Sequence, residues 1–513
     1  MNDPRVSFIS SVTGSDADTI IRLIGTTTIR IHVSPNVANT FAGQVLTFQL
    51  ATLTARLFDR VELAGDETAM TQQGVPLESG PYLANLRRLL PTLRPVAPIE
   101  GDSGIVDVVV GEDRNATGSI FLGSSGWTGS VSRSEPAPVF DSMNPVGPLV
   151  AGTFGASEVF KIVFRGLLRG ALESASYSLS LLNYGAVDGS DVGLPERVNL
   201  DAVLFGCGSI GCGFLQAVRC TPQLCGDLIA VDNGRFEIKN TFKYSMLDQK
   251  SAEQGMLKAV WAQRRFSQAN CNRISVLGFH GTAESFVSSQ PHDYKIPLAI
   301  SAVDTVEARF EIQDTIPKRI VNAGIDGSSV EVSMHGFGDG PCLACLGMEA
   351  TLESWDARPI ADKIGLRPER VYELIRRNDP LSKEDVAEMR ARNLLPELTL
   401  AVIDQFVGQP LLSFWNNHVA YGEAAVTTSG GASARVTTAF VSAFAGVLLL
   451  AELLKDCIPE LQIYRVDNSY RQDLLGVPAG GLFKHEREKR GWCLCHSTYR
   501  LALHREKYAL LGS

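Results

Sequence analysis

The sequence lacks most of what would carry a chain into a membrane, out of a cell or onto a nucleic acid. Its N-terminus, MNDPRVSFISSV, has no apolar core behind basic residues, so no signal peptide is expected. The most apolar stretch, Phe440 to Leu454, is broken by Ser442 and Glu452. It is too short and too interrupted to span a bilayer, so a buried helix is expected there. There is no basic excess: 47 Lys and Arg stand against 56 Asp and Glu, a net charge of −9. That argues against nucleic acid as a partner. Low-complexity runs are few, and a hydrophobic content of 45% indicates a folded, soluble chain. The 10 cysteines, without a secretory signal, do not suggest a disulfide scaffold. A cytoplasmic protein with reduced thiols and no membrane contact is expected. None of these cysteines lies between Cys345 and Cys457, an absence that matters below.

What is present centres on Asp201 to Lys258. The apolar run Ala202 to Phe205 meets Gly206, Gly208 and Gly211, and a helical pattern follows. This is G-x-G-x-x-G between a strand and a helix, the context in which the motif carries weight. Glycines let the backbone turn tightly and approach a phosphate, and the helix N-terminus offers it free N–H groups. A second strand, Leu228 to Val231, ends at Asp232, placed to accept hydrogen bonds from a ribose. A dehydrogenase would share these features. A nicotinamide, however, needs an apolar berth, and this chain continues with Asn240, Lys243 and Lys258. Ammonium groups there suit a triphosphate under attack.

This stretch resembles the adenylation domain of ubiquitin-activating enzymes and their bacterial ThiF/MoeB-type relatives. The acid, the asparagine eight residues on and the basic residue three further on match Asp232, Asn240 and Lys243. The family's usual arginine–glutamine pair is Lys243 and Tyr244 here, and its second acid is Gly234. The resemblance implies that Lys258 contacts phosphate. It also implies that Asp304, in SAVDTVEARF after the run Ile296 to Ile300, holds Mg2+ beside ATP.

The expected fold class is α/β, with two tandem doubly wound, Rossmann-like adenylation-type domains. The first, residues 1–190, is degenerate. It has a strand at Ile29 to Val33, a helix at Leu46 to Phe58 and a strand at Arg60 to Leu63, but SPNVANTFAG where a phosphate loop would sit. Registering Glu158 on Glu452 also aligns Gly152 with Gly446 and Lys161 with Lys455, which suggests duplication. The alternative is an unrelated α/β domain with a similar buried helix. The family's inactive half can lend an arginine to the active site, and Arg5, Arg22 and Arg30 are the candidates. The loop Tyr184 to Val192 marks the boundary. The active domain occupies residues 198–346 and 427–513. Within it a helix, Thr305 to Ile316, and a strand, Arg319 to Asn322, follow Asp304.

Residues 347–426 form a helical insert in which Ser382 and Asp385 make a capping-box start. Trp355 and Trp415 would pack it on the core. The family places a catalytic-cysteine or partner-binding region here, and the alternative is a helical decoration. Cys342 and Cys345 form Cys-x-x-Cys, and Cys493 and Cys495 a second close pair. Four such thiolates suit a tetrahedral structural Zn2+, with His496 able to replace one. The alternative is two turns whose thiols never meet.

In family members that form a thioester, a cysteine nucleophile lies in a loop before the apolar helix. Registering that helix on Glu452 puts it at about Ala432. Either the chain stops at the adenylate or the loop is altered, and the expectation is that Ala432 replaces a native cysteine.

The resemblance implies adenylation of the C-terminal glycine of a ubiquitin-like protein, then thioester formation and transfer to a conjugating enzyme. The layout is similar to activating enzymes of bacterial ubiquitin-like conjugation operons used in phage defence, and it allows a homodimer. A sulfur-carrier-protein adenylyltransferase and a non-catalytic nucleotide-binding scaffold are the alternatives.

Overall fold

The computed structural model describes the chain apart from residues 1–4, 7–8, 11–14, 94–100, 102–103, 114–117, 169–175, 186–191, 268–272, 338–339, 347–360, 362–363, 378, 393–403, 405–406, 410, 412–424, 428–432, 436–437, 476–479, 489–490, 492 and 510–513. It divides into two compact units, Met1–Ala344 with Thr437–Ser513, and Cys345–Val436.

In the larger unit the first half opens with helix α1 (Ala17–Thr26), strand β1 (Thr27–Val33), helix α2 (Phe41–Leu57) and β2 (Arg60–Ala64). Helix α3 (Tyr82–Leu89), strands β3 (Gly104–Val110), β4 (Ile120–Ser125) and β5 (Thr128–Ser132), helix α4 (Val146–Val163) and β6 (Ser176–Ser180) follow. The sheet order is β2-β1-β3-β4-β5-β6. Strands β1 to β4 run parallel, and β5 and β6 are antiparallel to their neighbours.

The second half repeats this plan. Its elements are β7 (Val198–Phe205), α5 (Ser209–Arg219), β8 (Leu224–Val231), α6 (Lys258–Ser267), β9 (Arg273–Phe279), β10 (Leu298–Ser301), α7 (Val306–Asp314), β11 (Ile320–Asp326) and β12 (Ser329–His335). After the second unit, which holds α8 (Pro368–Arg377), α9 (Lys383–Arg392) and the hairpin β13 (Ala425–Thr427) and β14 (Ser433–Arg435), come α10 (Ala439–Cys457), β15 (Ser469–Asp473), β16 (Gly481–Phe483) and α11 (Thr498–Tyr508). The order β16-β15-β12-β11-β10-β7-β8-β9 contains the first sheet's order strand for strand, extended at each edge. In both halves a parallel run ends in an antiparallel hairpin, β4–β5 or β11–β12. A long apolar helix then leads to one more antiparallel strand.

The long helices lie between the sheets. Every residue of α2 is buried, and α10 is buried from Ala439 to Asp456. A helix apolar all round must be enclosed on all sides. Helix α4 is long and apolar enough to cross a membrane, yet 89% of its most apolar window is buried inside the protein, so it is a core helix. Helix α2 packs on α4, and α5 on α10, while Phe154 and Phe160 of α4 meet Phe444 and Phe440 of α10 at 5.3 and 5.7 Å between ring centres.

The residues registered in the sequence occupy matching places. Glu158 and Glu452 are fully buried, pairing with Lys161 and Lys455 one turn on. A methyl group on Gly152 would stand 2.8 Å from the Leu46 carbonyl oxygen of α2, and one on Gly446 would stand 2.2 Å from the Phe214 nitrogen of α5. Each glycine lets its helix approach the helix that follows the first strand of its own half.

In the smaller unit the capping box forms as expected: Asp385 N–H donates to Ser382 Oγ at 3.1 Å, and Ser382 N–H to Asp385 Oδ2 at 2.8 Å. Arg370 of α8 donates to both carboxylate oxygens of Asp385, at 2.8 and 2.9 Å, joining α8 to α9. Trp355 and Trp415 lie outside the described residues.

Candidate functional site

At the carboxyl end of β7 the chain turns at Gly206, whose φ of 93° favours glycine. Its N–H donates to Val231 O on β8 at 2.9 Å. Gly208 caps α5, and a side chain on Gly211 would come 2.1 Å from Gly206 O. The first-turn N–H groups of α5 therefore face the loop with a positive dipole end behind them. From the end of β8, Asp232 accepts from Cys207 N–H at 2.7 Å and from Gly234 N–H at 2.6 Å. The acid fixes the glycine loop as well as facing the space beside it.

That space is a cavity of about 450 Å³, lined by Gly206, Gly208, Asp232, Lys243, Lys258 and Asp304 and closed on one side by Tyr244. The volume is in the range of small-molecule sites. Lys258 begins α6, and its N–H donates to Gly234 O at 3.1 Å. A side chain on Gly234 would stand 3.1 Å from Lys258 Nζ, so glycine there leaves the ammonium uncovered on that side. The ammonium groups of Lys243 and Lys258 each lie 5.7 Å from the centre of the Tyr244 ring, a cation–π distance. Burial, then repulsion from Lys258, pulls the Lys243 pKa below its ordinary value, and Asp304 partly offsets this. Asp304 lies beyond β10, exposed at the cavity edge, and Thr305 beside it caps α7. One exposed carboxylate beside a phosphate-sized space fits Mg2+, which takes few protein ligands and shares the rest with phosphates and water. In the sequence Tyr244 is marked only as standing where the family has glutamine; in the structure it lines the cavity.

Two sets of expected residues lie outside the cavity's lining. Asn240 does not line the cavity. It is 6% exposed, and its Oδ1 accepts from Glu237 N–H at 2.9 Å in a local cap. A short amide side chain satisfies its own backbone before it reaches across space. Arg5, Arg22 and Arg30 do not line the cavity either. Arg5 pairs with Asp59 at 2.7 Å, and Arg30 with Glu62 at 3.1 Å. The first-half arginine that enters the second half is Arg56, from the end of α2. It donates to the carbonyl oxygens of Thr241, Ser245 and Leu247, the last two at 2.7 and 2.9 Å. It is a fully buried clamp on the backbone that carries Lys243, and burial lowers its pKa to about 9. Ala432 lies outside the described residues.

Where the second half has its three-glycine loop, the first half has residues 34–40. Gly43, three positions into α2 as Gly211 is into α5, is retained, and a side chain on it would come 2.2 Å from Val37 O. The first half thus keeps the helix-packing glycine without the phosphate-facing ones.

Away from the cavity, Cys342, Cys345, Cys493 and Cys495 are buried with their sulfurs all within 4.8 Å of one another. Cys342 and Cys493 Sγ are 3.4 Å apart. Four thiolates about 2.3 Å from a tetrahedral Zn2+ would have edges of about 3.8 Å, so the cluster fits that ion. His496 is not among the clustered ligand groups, and its Nε2 meets Glu488 O at 2.6 Å. The remaining described cysteines include Cys207 and Cys212 in the glycine loop, both fully buried, with burial pushing their thiol pKa values up. They are poor nucleophiles.

The BilD N-terminal domain family model matches residues 28–181. The uncharacterized protein y4jF of Sinorhizobium fredii (strain NBRC 101917 / NGR234) is 29% identical over 494 residues, covering 94% of this chain and 91% of its own length. Crystal structures of E. coli MccB are also similar. MccB alone gives a TM-score of 0.34 at 12% identity, covering 59% of this chain and 66% of that chain, just under two thirds of MccB. MccB with ATP gives 0.32 at 12% identity, covering 59% and 67%.

Proposed function

We propose that this chain is an ATP-dependent adenylyltransferase that activates the C-terminal glycine of a ubiquitin-like protein. The observation that carries the reading is the meeting of Lys243, Lys258 and Asp304 in one cavity beneath a glycine loop and a helix N-terminus. A dinucleotide-dependent oxidoreductase has no use for two ammonium groups and a carboxylate there. An enzyme that brings two anions together does.

In the reaction, a carboxylate oxygen of the incoming C-terminus forms a bond to the α-phosphorus of ATP. The bond from that phosphorus to the β-bridging oxygen breaks, and the electron pair leaves with pyrophosphate. Asp232 orients the ribose, and the α5 N-terminus and the loop amides face the phosphates. Lys243 and Lys258 offset the charge that builds as the two anions approach. Asp304 would hold Mg2+, which supplies further charge neutralisation. The buried cysteine cluster would hold a structural Zn2+ away from the chemistry.

The reading extends to a thioester step and transfer to a conjugating enzyme, with Ala432 standing where the nucleophile belongs. The smaller unit is then the partner-facing region, and two chains can pair. A chain restored by Ala432→Cys is expected to form a thiol-sensitive adduct with its protein substrate. Adenylation without such an adduct would remove this extension and leave the first step.

ATP–pyrophosphate exchange with small proteins ending in glycine tests the main reading. Exchange that requires the small protein and falls about a hundredfold in Lys258→Ala is expected. A second reading, a nucleotide-binding scaffold without turnover, draws on Gly234 standing in place of the family's second acid. MgATP binding without exchange would decide for it.

A further inference from the structure

A second and larger cavity, about 740 Å³, lies on the far side of the elements that build the first. Its floor comes from the second half. Arg219 stands in the last turn of α5, Arg265 in the last turn of α6, and Ser245 and Met246 directly follow Tyr244. Its walls are first-half residues, with apolar surface from Phe48, Leu77, Leu89 and Leu93.

The floor carries unmet polar capacity. Ser245 is 2% exposed, and its Oγ has no hydrogen-bond partner among the described residues. Nε of Arg219 and Nε of Arg265 are buried and equally unpartnered. Among the described residues Arg265 donates a long bond of 3.3 Å to Met246 O, and its guanidinium lies 5.9 Å from the centre of the Trp261 ring. The acid among the lining residues is Glu78, which is exposed at the rim and 3.4 Å from Arg88. Asp248 is near enough to be felt by Arg265 and Arg56, but its carboxylate oxygens accept from Ser251 N–H and Ser251 Oγ, each at 2.8 Å. The negative ends of α5 and α6 draw arginines to this place, yet each supplies only about half a charge. The guanidinium groups of Arg219 and Arg265 therefore line the cavity with positive charge to spare, while Ser245 Oγ and the two Nε atoms lie beneath its surface.

We propose that this cavity is a second ligand site, taking a small molecule with a phosphate group on Arg219 and Arg265 and an apolar body along Leu77, Leu89 and Leu93. Guanidinium forks match phosphate oxygens two at a time, and a dianion balances two arginines. The same elements line both cavities: α5 begins at the glycine loop and ends at Arg219, α6 begins at Lys258 and carries Arg265 in its last turn, and the segment of Lys243 and Tyr244 continues into Ser245 and Met246.

Phenyl phosphate is the probe, measured by calorimetry on the full chain, with inorganic phosphate and phenol beside it. Binding of phenyl phosphate that persists in Lys258→Ala but weakens about tenfold or more in both Arg219→Gln and Arg265→Gln is expected. Thr92→Trp places an indole over the cavity from an exposed lining position without altering an arginine, and it should also block binding. It keeps the test alive if an arginine variant fails to fold. Inorganic phosphate should bind more weakly than phenyl phosphate, and phenol not measurably. No binding of phenyl phosphate, binding lost in Lys258→Ala alone, or binding indifferent to Thr92→Trp would overturn the site. Binding that passes these tests in a chain showing no pyrophosphate exchange would sink the proposed adenylation and leave this site standing.

Discussion

At the scale of single residues, the cavity's chemistry hangs on where a few charges are placed. Lys243 is half-buried beside a second ammonium, and both effects favour its neutral form. Its charge is therefore lost at a lower pH than that of an ordinary lysine. Phosphate binding needs the ammonium, so nucleotide affinity should begin to fall on the alkaline side earlier than a free lysine would predict. Binding in that range should also take up a proton. Lys243→Arg keeps its charge, and calorimetry across pH should show its alkaline limb moved upward; an unmoved limb would mean that another group titrates. Most of this site was readable because chemistry leaves ordered marks: a glycine pattern, an acid at a strand end, lysines at fixed intervals. The local cap of Asn240 is not legible in the same way: its Oδ1 accepts from Glu237 N–H, three residues away. Arg56 was not readable, since nothing in TARLFD shows that its guanidinium will cross to carbonyl groups at residues 241 to 247.

At the scale of elements, two glycines set how closely helices approach. Gly446 lies against the backbone of Gly213 and Phe214, and neither can give way as a side chain would. Gly446→Ala should cost about 1–3 kcal/mol in denaturant unfolding, and Gly152→Ala less, because its nearest contacts stand at 2.8 Å rather than 2.2 Å. Equal and negligible effects would show that the helices can slide apart. The register behind this comparison was visible because Glu and Lys are rare in helices otherwise so apolar, and a buried acid needs its partner one turn away. The helix boundaries were less visible. Helix α2 begins at Phe41, five residues before the expected start at Leu46, because Thr40 caps it by accepting from Gly43 N–H at 3.0 Å. The four cysteines tie the turn after β12 to the C-terminal segment. Removing bound metal with a chelator should lower the melting temperature and release about one zinc per chain. Full stability without zinc would make the cluster a set of plain buried thiols.

At the scale of the molecule, neither half of the larger unit is closed by its own residues. All of α2 is buried, and part of its cover comes from the other half: Gln216 Nε2 meets Gln49 Oε1 at 2.5 Å, and Arg56 reaches the segment after β8. Residues 28–181 expressed alone should therefore show no cooperative melt. Trp127 is the only tryptophan in that stretch and is 2% exposed, so its fluorescence reports the result directly. A sharp transition would show that the half is a domain in its own right. The duplicated strand order could be guessed from the repeated helix, but the dependence could not, since burial on all sides looks the same whichever chain segment supplies the cover.

The joining of both halves in one polypeptide has a consequence for how the molecule responds to scarcity. An assembly of separate subunits falls apart as it is diluted, and its output then drops faster than its amount. Here the supporting half is held at a fixed local concentration by the chain itself. Dilution therefore cannot separate the two halves, however few copies a cell makes.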